Sequence, residues 1–260
     1  MSTYTNIAAL IAATGKNHIF EQSWDYIIAD LRSGSSALVS QVNKYATIRI
    51  TGVSTELGIT ASELSTYWLE LNKISGTYSL AVNADGASSA DLKFVSSKIS
   101  KVASISNLTL DNSLNVTELN NLLGKVPANS AYLSATGMST SQLAIAAKFI
   151  SNIHDDGITG TLNLSTVSLT EVQIAALLGS KTQATVHIDA ASMTKAELTA
   201  VSNGISAVSQ ITNLTLTKNQ TDVEIAHLLS QSTDAYVTAT SMTAAQLIAV
   251  VDHSEGLAGG

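Results

Sequence analysis

The sequence predicts an α/β fold: a right-handed solenoid of about eight strand–turn–helix units with a parallel β-sheet, preceded by a helical N-terminal cap. Three observations lead there. The first is internal repetition. Ile105-Ser-Asn-Leu-Thr-Leu110 returns as Ile211-Thr-Asn-Leu-Thr-Leu216, and Ser130-Ala-Tyr-Leu-Ser-Ala-Thr136 returns as Asp234-Ala-Tyr-Val-Thr-Ala-Thr240. A looser copy lies between them, Ile158-Thr-Gly-Thr-Leu-Asn-Leu164 followed by Ala184-Thr-Val-His-Ile-Asp189. Such self-similarity marks stacked units, none of which can bury its apolar face alone. The second is a run of capping boxes, in which a Ser, Thr or Asn and an acid or amide three residues on satisfy each other's orphan backbone donors. They stand at Thr60/Glu63, Ser88/Asp91, Asn115/Glu118, Ser139/Gln142, Thr170/Gln173, Thr194/Glu197, Thr221/Glu224 and Thr243/Gln246. The third is the short connection between each strand and its helix, which favours parallel neighbours with right-handed crossovers.

Residues 1–45 do not match the repeat. Asn6 to Ala13 reads as a short apolar helix, and Ser23 to Leu31 as a second with Trp24, Ile27, Ile28 and Leu31 on one face. Gly34 closes it and a third begins at Ser35. A helical cap is expected here, because a terminal repeat must cover exposed core; an anchoring segment is the functional alternative. Residues 46–260 form the repeat region, with units starting near 46, 77, 105, 130, 158, 184, 211 and 234. Two kinds of unit alternate. One has a strand such as Asn107-Leu-Thr-Leu110 and a helix ending in a Leu pair: Leu122-Leu123, Leu177-Leu178, Leu228-Leu229. The other has a strand such as Ala131-Tyr-Leu-Ser-Ala135, then a Met (Met138, Met193, Met242) at the hydrophobic-staple position before the N-cap.

Strands spaced about 4.8 Å apart would make one ladder somewhat under 40 Å long. Leu108, Leu110, Leu162, Leu164, Val186, Ile188, Leu214 and Leu216 are expected to point inward. Thr109, Ser134, Asn163, His187, Thr215 and Thr238 are expected to point outward, as a row of small polar side chains that forms the candidate interaction surface. Among the Trp, Tyr and Arg that dominate binding hot spots, only Arg49 is expected on that face.

Ile211-x-x-Leu214-x-Leu216-x-x-Asn219 resembles the leucine-rich-repeat pattern L-x-x-L-x-L-x-x-N. Ile105, Leu108 and Leu110 give the same opening, with Ser113 in place of the Asn, and the copy at 158 departs further. The resemblance implies an α/β solenoid like a leucine-rich repeat. Composition separately resembles bacterial surface-layer proteins and large adhesins: acidic, without Cys, and rich in Ser, Thr and aliphatic residues.

Of 260 residues 45% are hydrophobic, enough for an ample core, while only 13% are charged. A net charge of −7 without a Lys/Arg cluster argues against nucleic acid or anionic lipid as the partner. Absence of Cys leaves out disulfides and thiolate metal sites. The N-terminus lacks a basic leader, and no apolar run reaches the roughly 18 residues of a spanning helix. Export without a classical signal peptide to the cell surface or outside is the expected localisation, with the cytoplasm as alternative. The end Glu255 to Gly260 offers no amphipathic cap, so another copy or a following domain is expected to cover the last helix.

The sequence holds no G-x-S-x-G, P-loop, G-x-G-x-x-G or H-E-x-x-H. Its histidines, His18, His154, His187, His227 and His253, fall on separate units. His154-Asp155-Asp156-Gly157 and Asn83-Ala-Asp85-Gly86 combine oxygen ligands with a Gly turn, which makes Asp155, Asp156 and Asp85 the candidate calcium ligands; turn chemistry alone also explains them. Asn-x-Ser/Thr triplets start at Asn107, Asn115, Asn163, Asn213 and Asn219. The expected function is non-enzymatic: a self-assembling cell-surface layer or matrix segment. The alternative is an adhesin or leucine-rich-repeat-like module for a protein or polysaccharide.

Overall fold

The computed structural model describes residues 2–52, 56–165, 169–179 and 182–253. They form two compact units that divide between Ser106 and Asn107. The expectation for 255–260 lies outside the described residues.

The first unit runs β1 (Thr3–Tyr4), α1 (Ile7–Ala12), β2 (His18–Ser23), α2 (Trp24–Arg32), α3 (Ala37–Ser40), β3 (Tyr45–Thr51), β4 (Glu56–Thr60), α4 (Ala61–Thr66), α5 (Trp68–Leu71), β5 (Ser79–Asn83), α6 (Ser89–Ser97) and β6 (Val102–Ser106). Its strands form two parallel sheets, β1-β2-β3 and β4-β5-β6. The three helices expected near the N-terminus are present as α1, α2 and α3, but the segment is not helical alone. Strands β1 and β2 interleave with them, and β2 pairs in register with β3, Phe20 opposite Ile48 and Gln22 opposite Ile50. The turn before β2 places Gly15 at φ +90° and Asn17 at φ +68°, left-handed conformations that Gly and Asn adopt at least cost. The chain reverses there and Phe20 is buried.

The first unit also repeats a detail of its own. The Tyr45 hydroxyl donates to the Leu38 carbonyl at 3.2 Å, and the Tyr78 hydroxyl donates to the Leu71 carbonyl at 3.1 Å. Each phenol ties the start of its strand region back to the short helix before it.

The second unit runs β7 (Leu108–Leu110), α7 (Val116–Leu123), β8 (Ala131–Ser134), α8 (Thr140–Lys148), β9 (Ile153–Thr159), β10 (Thr161–Ser165), α9 (Glu171–Leu177), β11 (Thr185–Asp189), α10 (Lys195–Asn203), β12 (Val208–Thr212), β13 (Leu214–Leu216), α11 (Asp222–Ser230), β14 (Ala235–Val237) and α12 (Ala244–His253). Its sheets are β7-β8-β9, β10-β11-β12 and β13-β14, all parallel. The single ladder expected from the sequence is thus a set of small sheets. The reason is a left-handed residue inside every second strand path. Gly160 at φ +82° parts β9 from β10, and Asn213 at φ +55° parts β12 from β13. The first half of each bent path pairs backward, as Leu133 with Ile158, and the second half pairs forward, as Leu162 with Val186. Asn107, at φ +52°, holds the same place between β6 and β7.

Burial follows the expected alternation. The eight inward residues from Leu108 to Leu216 are all buried, each contributing about 1.5–3 kcal/mol of apolar transfer. Met138 is buried, whereas Met193 and Met242 are half-buried. All eight capping boxes close reciprocally. In two of them the glutamine amide also bonds backbone carbonyls of the preceding repeat. Gln142 Oε1 accepts from the Ser139 N–H at 2.7 Å, while its Nε2 donates to the Leu114 carbonyl at 2.6 Å and the Asn112 carbonyl at 3.2 Å. Gln246 repeats this on the carbonyls of Gln220, at 2.5 Å, and Lys218, at 3.1 Å.

Candidate functional site

Thr109, Asn163, Thr215 and Thr238 are exposed, and Ser134 and His187 are half-buried. They are distributed over separate sheets. Thr109 stands opposite Tyr132 on β7-β8, and Thr215 stands opposite Tyr236 on β13-β14. Thr238 follows β14 directly, its N–H donating to the Leu216 carbonyl at 2.9 Å. The expectation that Arg49 alone supplies a hot-spot side chain is corrected by these tyrosines. Tyr132 is 42% exposed and Tyr236 is 71% exposed. Period-two alternation required this, since Ala131 and Leu133 face inward on either side of Tyr132. Arg49 itself is paired with Glu21 at 3.0 Å.

The sheet β10-β11-β12 gathers Asn163 and His187 beside a residue that sequence reasoning missed. Asn163, His187 and Gln210 lie in register across the three strands, and the row Ser165, Asp189 and Thr212 lies near them. Together they line a shallow cavity of about 290 Å³. Asp189 Oδ1 accepts from Asn213 Nδ2 at 3.0 Å and from the Ala191 N–H at 3.2 Å, which fixes its orientation. Gln210 Nε2 donates to Thr233 Oγ1 at 3.3 Å. An imidazole flanked by two carboxamides offers both donors and acceptors, the chemistry that meets a hydroxylated ligand. Gln210 was hidden because β12 starts earlier than the repeated motif at Ile211.

The two candidate calcium loops lie one in each unit. Asp85 follows β5 in the first unit, its N–H donating to Asn83 Oδ1 at 3.1 Å. Asp155 and Asp156 are exposed on a bulge within β9, where Ala131 pairs with Ile153 and Leu133 already pairs with Ile158. Asp156 Oδ1 lies 2.6 Å from His154 Nδ1, and the His154 ring stacks on Tyr132 at 5.0 Å. Among the described residues no group of three or more His, Cys, Asp or Glu side chains is placed to hold a metal ion. Among them, too, no helix is long and apolar enough to cross a membrane.

The helix side carries a second repeated surface. Between α9 and α10 runs an open groove of about 240 Å³ lined by Glu171, Val172, Ala175, Ala196, Thr199 and Ala200. Between α11 and α12 the equivalent positions, Asp222, Val223, Ala226, Ala245, Ile248 and Ala249, line a groove of about 340 Å³. Counted from the N-caps, alanine stands at three matching floor positions and valine at the rim. Between α7 and α8 the same strip is polar: Asn120 replaces the alanine, and Lys148 Nζ donates to its Oδ1 at 2.8 Å. Beside the first groove, Thr199 Oγ1 donates to Glu224 Oε1 at 2.5 Å, which ties α10 to the cap of α11. Burial pushes the Glu224 carboxyl up, but hydrogen bonds from Thr199 and Thr221, with the nearby Lys195 charge, outweigh it and hold the carboxyl below its ordinary value.

Neither a family model nor a curated protein nor a solved structure matches this chain.

Proposed function

We propose that the chain is a non-enzymatic structural protein, an α/β solenoid of leucine-rich-repeat-like plan that associates with copies of itself at a cell surface or in an extracellular matrix. The observation that carries this reading is the alanine-floored groove that recurs 51 residues apart, from Val172 to Val223. A surface that presents the same apolar strip twice engages a repeated partner surface in register, and a second copy of the chain supplies one. The low share of charged residues supports close side-to-side contact, because long charged side chains would otherwise hold copies apart. Light scattering and electron microscopy across protein concentration, with and without millimolar calcium, test it. Sheets or filaments that grow with concentration are expected. A monodisperse monomer at every concentration and calcium level overturns the reading. Growth that requires calcium would bring in Asp155, Asp156 and Asp85.

A binding module is the second reading, favoured by the polar cavity around Asn163, His187 and Gln210. Its partner would be a polysaccharide or glycosylated protein. Saturable glycan binding by the monomer, lost in His187→Ala, would select it over self-association.

A further inference from the structure

We propose that the aromatic, lysine-edged strip on α5 and α6 of one molecule seats in the alanine-floored groove between α9 and α10 of a second copy. This rests on the self-association reading and names the two surfaces that perform it.

The internal repeat makes the two surfaces comparable. Counted from the N-caps Thr170 and Thr194, the groove is floored by Ala175 of α9 and by Ala196, Thr199 and Ala200 of α10. Counted from the N-caps Thr60 and Ser88, the same positions in the first unit hold Ser65 of α4 and Ala90, Lys93 and Phe94 of α6. A phenylalanine thus stands where the groove has Ala200, and a lysine where it has Thr199. Phe94 meets Trp68 of α5 edge to face at 6.0 Å. Lys98 Nζ lies 4.7 Å from the Trp68 ring centre and 5.2 Å from that of Phe94, which holds the two rings and the cation as one cluster. Leu69, the next residue on α5, is 70% exposed. The strip that is hollow in the second unit is therefore filled in the first. Of the two grooves, the one between α9 and α10 has the smaller floor residues, since Ile248 stands in the other at the place of Thr199.

The occupant is set by charge. Residues 1–106 carry eight Lys and Arg against eight Asp and Glu, and residues 107–260 carry five against twelve, so the second unit holds the whole net charge of −7. Lys93 and Lys98 edge the filled strip, and Glu171 stands exposed at the mouth of the groove. Among the described residues none of these three charges is in an ion pair. A groove set against the same groove of another copy would bring acid to acid. The lysine-edged strip set against the groove brings opposite charges together and covers Leu69 with the alanine floor. Aromatic side chains are also the ones that anchor interface cores. The contact joins two different surfaces, so it is heterologous and propagates from copy to copy.

Charge reversal at two exposed positions tests this, Lys93→Glu on the strip and Glu171→Lys at the groove, with Leu69→Asp for the apolar part and circular dichroism to verify folding. Wild-type protein is expected to grow with concentration in light scattering. Each single variant is expected to need about tenfold more protein for the same growth, as loss of one interfacial charge pair implies. The double variant Lys93→Glu with Glu171→Lys, its charges exchanged, is expected to recover wild-type growth, and so is an equimolar mixture of the two single variants. Leu69→Asp is expected to stay monomeric. Wild-type-like assembly by all three single variants would overturn the contact and leave self-association standing through another surface. Impaired single variants that neither the exchange nor the mixture rescues would overturn the pairing of strip with groove. A wild type that stays monomeric throughout overturns the contact and the self-association reading together.

Discussion

Replacing Gln142 with Glu separates the two tasks of one side chain. Gln142 is 7% exposed and both of its polar ends are engaged. Its Oε1 closes the capping box of α8, a task a carboxylate performs equally well. Its Nε2 donates to the Leu114 and Asn112 carbonyls of the preceding unit, a task a carboxylate cannot perform. Gln142→Glu therefore keeps the cap and removes two donors. Each hydrogen bond is worth about 1 kcal/mol net, and a buried acceptor left unmatched adds about 1–3 kcal/mol, so a loss of about 2–4 kcal/mol is expected. For a chain of this size that lowers the melting temperature by about 5–15 °C. Glu197 occupies the equivalent place in α10 at 8% exposure, so the position tolerates a carboxyl sterically. Glu118→Gln in the cap of α7 is the control, expected within about 0.5 kcal/mol of wild type because its contact with the Asn115 N–H survives. Thermal unfolding followed by circular dichroism at several pH values measures both. As pH falls the introduced carboxyl gains a proton and one donor, so the deficit should shrink. A deficit under about 0.5 kcal/mol at pH 7, or one that widens on acidification, would refute the view that this amide joins neighbouring units.

The bend residues give a second prediction. Gly160→Ala, with φ +82° and a Cβ that would press on the Thr136 hydroxyl, is expected to cost about 1–3 kcal/mol and to speed amide exchange in β9 and β10. Asn213→Val should cost more than Asn213→Gly in urea unfolding, by about 1–2 kcal/mol, because φ +55° disfavours a β-branched residue while glycine loses only the bond to Asp189. Acid should weaken the first unit. The Arg32 guanidinium, 2.5 Å from Glu63, holds that carboxyl below its ordinary 4.5, and hydroxyls of Ser65 and Ser88 hold Asp91 below 3.8. Both pKa values are depressed on folding, so this stability is present above the unfolded values and is lost as pH falls through the folded ones. Glu63→Gln should flatten the decline in urea midpoint below about pH 4.5. In alkali the sign comes from Tyr45, whose phenol burial pushes far up from 10. The unfolded chain ionises first, so stability should fall above about pH 10, and less so in Tyr45→Phe.

The sequence made the helix starts legible because a capping box is local. Its two side chains and two backbone groups lie within four residues, and nothing distant decides whether it closes. The inward leucines were legible for a similar reason, since a two-residue period needs no tertiary information. Tyr132 followed from the same period and was missed only by attending to its small neighbours. Strand β2 was obscured by its setting: His18 to Ser23 lies between two helical patterns, and its partner β3 is more than twenty residues away. The bends at Gly160 and Asn213 depend on a single dihedral, and an Asn within Thr-Asn-Leu-Thr reads equally as a strand residue. The cavity around His187 required three strands in register, and Gln210 entered it through a strand start that the repeat motif does not mark.

The left-handed residues set where one sheet ends and the next begins. A strand path that bends at Asn213 pairs backward with one half and forward with the other, so each bent path both ends one sheet and begins the next. Sheet β13-β14 has two strands where β7-β8-β9 and β10-β11-β12 have three. The sheet boundary is thus set by one backbone dihedral and not by a break in the apolar pattern, since Ile211, Leu214 and Leu216 are buried on both sides of Asn213.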